Sequence, residues 1–194
     1  MNLKETILNR RTIKPMHFNG ENVSKEIIEE MLTAANWAPT HRNTEPWRFV
    51  IYSGESKTKF AKETAEMFRQ VKTDEGKMEK TAIDKKFEKI QLNANLSSHI
   101  IALIMKRDEE KRVPEIEEIC AVSCAVQNMM LTATANNVAH IWSSGGLTFH
   151  PEMKKYLNIT EEDKILGFLY VGKSDLKPKS KRFIPLEDKV IWKE

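Results

Sequence analysis

The order of elements along the chain predicts an α+β protein, one sheet covered by helices, and three observations lead there. Short apolar and β-branched runs at 47–52, 99–105 and 165–171 alternate with longer stretches of helical periodicity, without the even βα spacing of a doubly wound sheet. One long segment, 116–136, is apolar nearly all round and holds the small residues Ala121, Ser123, Ala125 and Ala133, as the central helix of a core should. The 194 residues contain no internal repeat and no low-complexity tract, so a single domain over 1–194 is expected.

Each element then follows from local chemistry. Asn2 with Glu5 three positions on has the form of a capping box, and Leu3, Ile7 and Leu8 make one apolar face, which predicts a first helix ending near Arg10. Ser24 and Glu26 open a second helix whose Ile27, Ile28, Met31, Leu32 and Ala35 recur at helical spacing. Pro39 stops it near Trp37 and leaves 40–46 as a loop. A strand at 47–52 precedes a charged helix over about 57–70, broken by Asp74, Glu75 and Gly76, and a further helix over about 78–92. A buried strand at 99–105, a polar connection at 107–112 and the central helix come next. The Ser/Gly-rich stretch 142–146 reads as a turn, 151–157 as a short helix, and 165–171 as a strand ended by Gly172. The basic tail from Lys173, with Pro178 and Pro185, is expected to be extended.

Composition narrows the function classes. Lys and Arg number 31 against 28 Asp and Glu, a net charge of +3 with the signs interspersed, which gives little footing for nucleic acid. The most apolar stretch, 119–135, contains Ser123, Gln127 and Asn128 and follows three glutamates, so it reads as a buried helix and no membrane span is expected. Cys120 and Cys124 sit in that run. They are expected to be small buried side chains in a cytoplasmic protein without a disulfide framework, and the charged N-terminus lacks the apolar region of a secretory signal.

The familiar chemical signatures are missing. There is no GxGxxG or GxxxxGK[ST] phosphate loop, no GxSxG elbow, and no metal-ligand spacing among His17, His41, His99, His140 and His150. What remains is a set of anion and ring binders at turns. Arg10 and Arg11 could grip a phosphate with their guanidinium forks while Thr12 adds a hydroxyl, although arginines at a helix end more often face solvent beside the dipole. Thr40, His41 and Asn43 crowd donors and acceptors into a loop bounded by prolines, which ordinary turn chemistry also explains. Trp142, Ser143 and Ser144 put a flat ring beside small hydroxyls, or else a core tryptophan beside a turn.

Taken in order, Arg10-Arg11-Thr12, then Ala38-Pro39-Thr40-His41-Arg42-Asn43-Thr44-Glu45-Pro46-Trp47-Arg48-Phe49, the turn Ile141 to Gly146 and the strand Gly167 to Gly172 resemble the nitroreductase family of FMN-dependent oxidoreductases, in its small single-domain branch. The resemblance covers essentially the whole chain. It implies a central mixed sheet flanked by helices in an intertwined homodimer, with FMN sites shared across the interface. It implies that Arg10, Arg11 and Lys181 or Arg182 hold the FMN phosphate and its neighbours, and that Thr12 bonds the ribityl chain. Trp142, Ser143 and Ser144 would pass the flavin ring, while Thr40, His41 and Asn43 reach the flavin of the other subunit and Trp37 also touches it. Glu45 replaces a usual Gln, and Trp37 stands where Arg is common. The implied activity is hydride transfer from NADH or NADPH through the flavin to a small planar acceptor such as a nitroaromatic or quinone, with no side-chain nucleophile. The alternatives are a non-catalytic flavin-binding or sensing protein on the same fold, and a cofactor-free basic interaction module.

Overall fold

The computed structural model describes residues 2–179 and 181–194. Its elements in order are α1 (Leu3–Asn9), α2 (Lys25–Asn36), β1 (Trp47–Ser53), α3 (Gly54–Glu75), α4 (Lys80–Leu96), β2 (His99–Met105), α5 (Glu115–Ala135), β3 (Ala139–Ser143), α6 (Pro151–Tyr156) and β4 (Lys164–Gly172), with short 3-10 turns at Pro15–His17, His41–Asn43 and Glu187–Lys189. The α+β class expected from the sequence is what the chain adopts.

The strands form one sheet in the order β1-β2-β4-β3. All three pairings among the described residues are antiparallel, where a mixed sheet had been expected. The connections explain this. Two helices, α3 and α4, return the chain from the end of β1 to the same end of the sheet, so β2 must run back along β1. A single helix, α5, carries the chain over from β2 and makes β3 run in the same direction as β2. β4 then inserts between those two strands and separates the only such pair that the crossover creates.

The sheet is covered on both faces, which is why β2 reads as a continuous apolar run. Ile101, Leu103 and Met105 point to one face and join Met31 and Ala35 of α2 with Val122, Val126 and Met129 of α5. Ile100, Ala102 and Ile104 point to the other and meet Phe60 and Phe68 of α3 and Ile83 of α4. Among the described residues no helix is long and apolar enough to cross a membrane.

The ends of several elements differ from the sequence expectation. The Asn2–Glu5 capping box is present, with Glu5 N–H donating to Asn2 Oδ1 at 2.9 Å and Asn2 N–H to Glu5 Oε2 at 3.1 Å. Helix α3 starts earlier than expected, because Ser53 and Ser56 cap its first turn, and runs on to Glu75, where Gly76 at φ 62° supplies the left-handed stop. Trp142 and Ser143 close β3 and so lie within a strand instead of a turn. Cys120 and Cys124 are exposed rather than buried. The buried stripe of α5 passes through Glu118, Ala121, Val122, Ala125, Val126 and Met129, so the two cysteines fall with Ile116 on the outward stripe.

Candidate cofactor site

The C-terminal end of α5 faces a cluster of cations. Arg10 caps α1, its N–H donating to Thr6 O at 2.9 Å, and the chain then leaves in extended form until Ile13 N–H donates to His140 O at 3.0 Å. That bond lays segment 10–13 against β3. Arg11 is committed to main-chain carbonyls: Nε donates to Pro178 O at 3.2 Å, and Nη1 to Leu8 O at 2.5 Å and Arg10 O at 2.9 Å. It therefore ties the exit of α1 to the C-terminal tail. Arg10 makes no side-chain hydrogen bond or ion pair among the described residues. Its pKa is lowered by partial burial and then by the neighbouring charges of Arg11 and Arg182. Thr12 is exposed, as are Lys181 and Arg182, and Lys181 Nζ lies 5.2 Å from the Phe183 ring centre.

Beside this cluster lies a cleft of about 520 Å³ whose lining includes Arg11, Asn137, His140, Ser174, Lys177 and Lys179 and, among the described residues, no carboxylate. Sequence reasoning weighed His140 only as a metal ligand and missed its place here. The side chain is 2% exposed, Nδ1 lies 3.1 Å from Val138 O, and Nε2 has no partner among the described residues. Burial pushes its pKa down to about 4, against the Val138 bond and with help from Arg10. The available signal was a titratable residue inside the otherwise apolar run Val138-Ala139-His140-Ile141.

Further along β3, Trp142 is half-buried and Nε1 donates to Leu166 O at 2.8 Å. Its ring presses on Gly167, whose φ is 143° and where a Cβ would lie 2.4 Å from Trp142 Nε1. The indole is thereby fixed by the core. Ser143 is half-buried and Ser144 exposed, so the hydroxyls and backbone beyond the ring are the groups that face outward.

The loop residues lie elsewhere. Trp37 ends α2 and is 84% exposed. Thr40 Oγ1 and Thr44 Oγ1 are 3.1 Å apart, and Glu45 N–H donates to Thr40 Oγ1 at 3.2 Å. Arg42, Asn43 and Glu45 hold φ values of 52°, 53° and 40°, so three non-glycine residues sit in the left-handed region. His41 Nδ1 bonds Glu117 Oε2 at 2.5 Å, which pins the loop to the first turn of α5 beside an open groove lined by Pro39, Ile116, Cys120 and Cys124.

The structure thus brings together Arg10, Arg11 and Arg182, but it does not bring Thr40, His41 or Asn43 to them. Cys120 borders the loop's groove and Thr134 the cationic cleft, and at roughly 1.5 Å per helical residue they stand about 21 Å apart along α5.

Known proteins are similar to this chain in sequence and fold. YdjA of Escherichia coli (strain K12), which carries NAD(P)H nitroreductase in its name, is 29% identical over 185 residues, 95% of each chain. A nitroreductase-like family protein from Bacillus cereus superposes with a TM-score of 0.85 at 24% identity, covering 100% of this chain and 97% of that one. A Desulfovibrio desulfuricans protein solved in complex with FMN gives a TM-score of 0.71 at 21% identity, covering 100% and 98%. At these identities the two structures establish the fold. The sequence profile of the Nitroreductase family matches residues 7–173, and with that match over most of its length the chain belongs to the nitroreductase family.

Proposed function

We propose that the protein is an FMN-dependent NAD(P)H oxidoreductase acting as a homodimer. The observation that carries this reading is the cationic cleft: Arg11, Lys177 and Lys179 line it with no carboxylate among the described residues, and Arg10 lies close enough to Arg11 and Arg182 for their charges to interact, which suits a phosphate. Arg10, the uncommitted guanidinium, grips the phosphate, and Lys181 or Arg182 closes over it from the tail. Thr12 lies next in sequence and serves the ribityl chain. Arg11 acts through the carbonyls it binds, holding the tail in place.

Bound FMN would supply the two-electron exchange, accepting hydride from NADH or NADPH and delivering it to a nitroaromatic, a quinone or a similar planar acceptor. The chain contributes orientation and exclusion of water. Trp142, fixed on Leu166 and Gly167, sets where the Ser143–Ser144 backbone lies beside the ring. Thr40, His41, Asn43 and Trp37 complete the pocket of a second subunit, since within one subunit they stand at the far end of α5. Exposed apolar side chains support this pairing: Ile116 on α5, and Phe183, Ile191 and Trp192 along the extended tail.

The direct test is anaerobic. NADH or NADPH should bleach the bound flavin's visible absorbance, and a nitroaromatic or quinone should restore it. Protein that binds FMN but is bleached by neither nucleotide would be a flavin-binding protein without this activity.

A further inference from the structure

His140 stands where the cationic cleft meets the core, and nothing in the proposed chemistry uses it. A carbonyl oxygen can only accept, so the contact with Val138 O places the imidazole hydrogen on Nδ1 and leaves Nε2 as a lone-pair acceptor. That acceptor is buried and has no partner among the described residues. A donor without a bond to any described group lies on the neighbouring segment. Arg10 is close enough for its charge to act on His140, its segment is tied to the main chain of His140 by the Ile13 bond, and its guanidinium bonds no described group. Arg11 cannot serve, because its bonds go to Pro178, Leu8 and Arg10 carbonyls.

We propose that His140 is a positioning residue for the anion site: its unprotonated Nε2 accepts one N–H of Arg10 when an anion binds, and fixes the guanidinium with its outer edge toward the phosphate. A guanidinium has five N–H donors in a fixed plane, so one spent inward still leaves a parallel pair for two phosphate oxygens. Burial first, and then the charge of Arg10, keep the imidazole neutral and able to accept, while the charged groups lining the cleft that His140 shares, Arg11, Lys177 and Lys179, are all cationic. This inference rests on the reading of Arg10 as the phosphate ligand.

The test compares FMN with riboflavin, which lacks the phosphate, by quenching of flavin fluorescence on binding. His140→Phe and His140→Leu should each weaken FMN by about tenfold, the worth of one charge-assisted hydrogen bond, with riboflavin affinity held within about twofold. His140→Gln, whose Oε1 can replace Nε2 as acceptor, should restore most of the FMN affinity. In an Arg10→Ala background His140→Phe should have no further effect. If Arg10→Ala lowers the FMN-to-riboflavin ratio while His140→Phe and His140→Leu leave it unchanged, the positioning role is wrong and the phosphate assignment stands. If Arg10→Ala itself leaves the ratio unchanged, the phosphate assignment falls and takes this inference with it. Should the apolar variants fail to fold, the wild-type protein decides: the ¹⁵N resonance of His140 Nε2 should move upfield on adding FMN, as for a lone pair that gains a donor, and a resonance that stays in place overturns the proposal.

Discussion

The two ends of α5 differ in how their charges are balanced. At the N-terminal end each glutamate of the first turn has a partner: Glu115 bonds Lys164 at 3.2 Å, Glu117 bonds His41 at 2.5 Å, and Glu118, 1% exposed, pairs with Arg107 and also accepts Asp108 N–H at 3.0 Å. At the C-terminal end Arg11, Lys177 and Lys179 line a cleft without a carboxylate among the described residues, Arg10 adds its charge beside those of Arg11 and Arg182, and the carbonyl end of the helix dipole offers about half a negative charge against them. A balanced end needs nothing from outside to satisfy its charges, but it leaves Ile116, Cys120 and Cys124 facing outward. An unbalanced end gains by taking up an anion. One end is therefore suited to meeting a surface and the other to holding a ligand.

The largest expected effect joins the two ends. An Arg10→Ala chain and a His41→Ala, Asn43→Ala chain should each hold little flavin alone, yet a heterodimer gathers both lesions in one pocket and leaves the other intact. Flavin occupancy and activity of the mixture should recover toward half. No recovery after confirmed subunit exchange would break the shared-site reading and leave the ends functionally separate. Next comes the balanced end itself. Glu118→Ala strands the mostly buried guanidinium of Arg107 and should cost about 3–5 kcal/mol of stability in urea unfolding.

At the unbalanced end, the effect of pH has a definite sign. The folded chain keeps His140 neutral down to about 4, whereas the unfolded chain protonates it near 6.5, so unfolding takes up a proton between those values. Stability should be full above that window and fall by about 3 kcal/mol as pH drops through it, and His140→Phe should flatten this decline in pH-dependent unfolding. Arg10→Ala should weaken FMN by roughly tenfold or more, since a charge-assisted bond contributes about 1.5–3 kcal/mol, and riboflavin should discriminate poorly between variant and wild type. The smallest effect concerns the strained loop. Arg42→Gly relieves a left-handed residue at φ 52° and should raise stability by about 1 kcal/mol or less without altering the His41–Glu117 bond, as thermal unfolding would show.

Much of the fold was legible because its signals are local. The Asn2–Glu5 box, the Pro39 stop after α2 and the apolar run of β2 each determine their element through neighbours a few residues away. Strand direction was not legible, because it depends on how many helices intervene and on β4 inserting between β2 and β3. The exposure of Cys120 and Cys124 was missed because a helix apolar on nearly every side does not announce which stripe meets the core. At the site, the sequence offered Arg10 and Arg11 as equals. Their difference arises from the Pro178 and Leu8 carbonyls, one of them far away in the chain, and the orphaned Nε2 of His140 is likewise a property of packing.

The four tryptophans occupy three distinct settings, and this gives the protein an optical record of its own assembly. Trp47 is buried with Nε1 on Asn36 Oδ1 at 3.0 Å, Trp142 is half-buried on Leu166, and Trp37 and Trp192 are 84% and 85% exposed. In a lone chain, iodide should quench the red-shifted emission of Trp37 and Trp192 and leave the blue component from Trp47. Covering the tail and the end of α2 by a second copy would remove that accessible fraction. Flavin drawn in beside β3 would instead darken Trp142 by energy transfer, so pairing and cofactor uptake can be followed separately in one unlabelled sample.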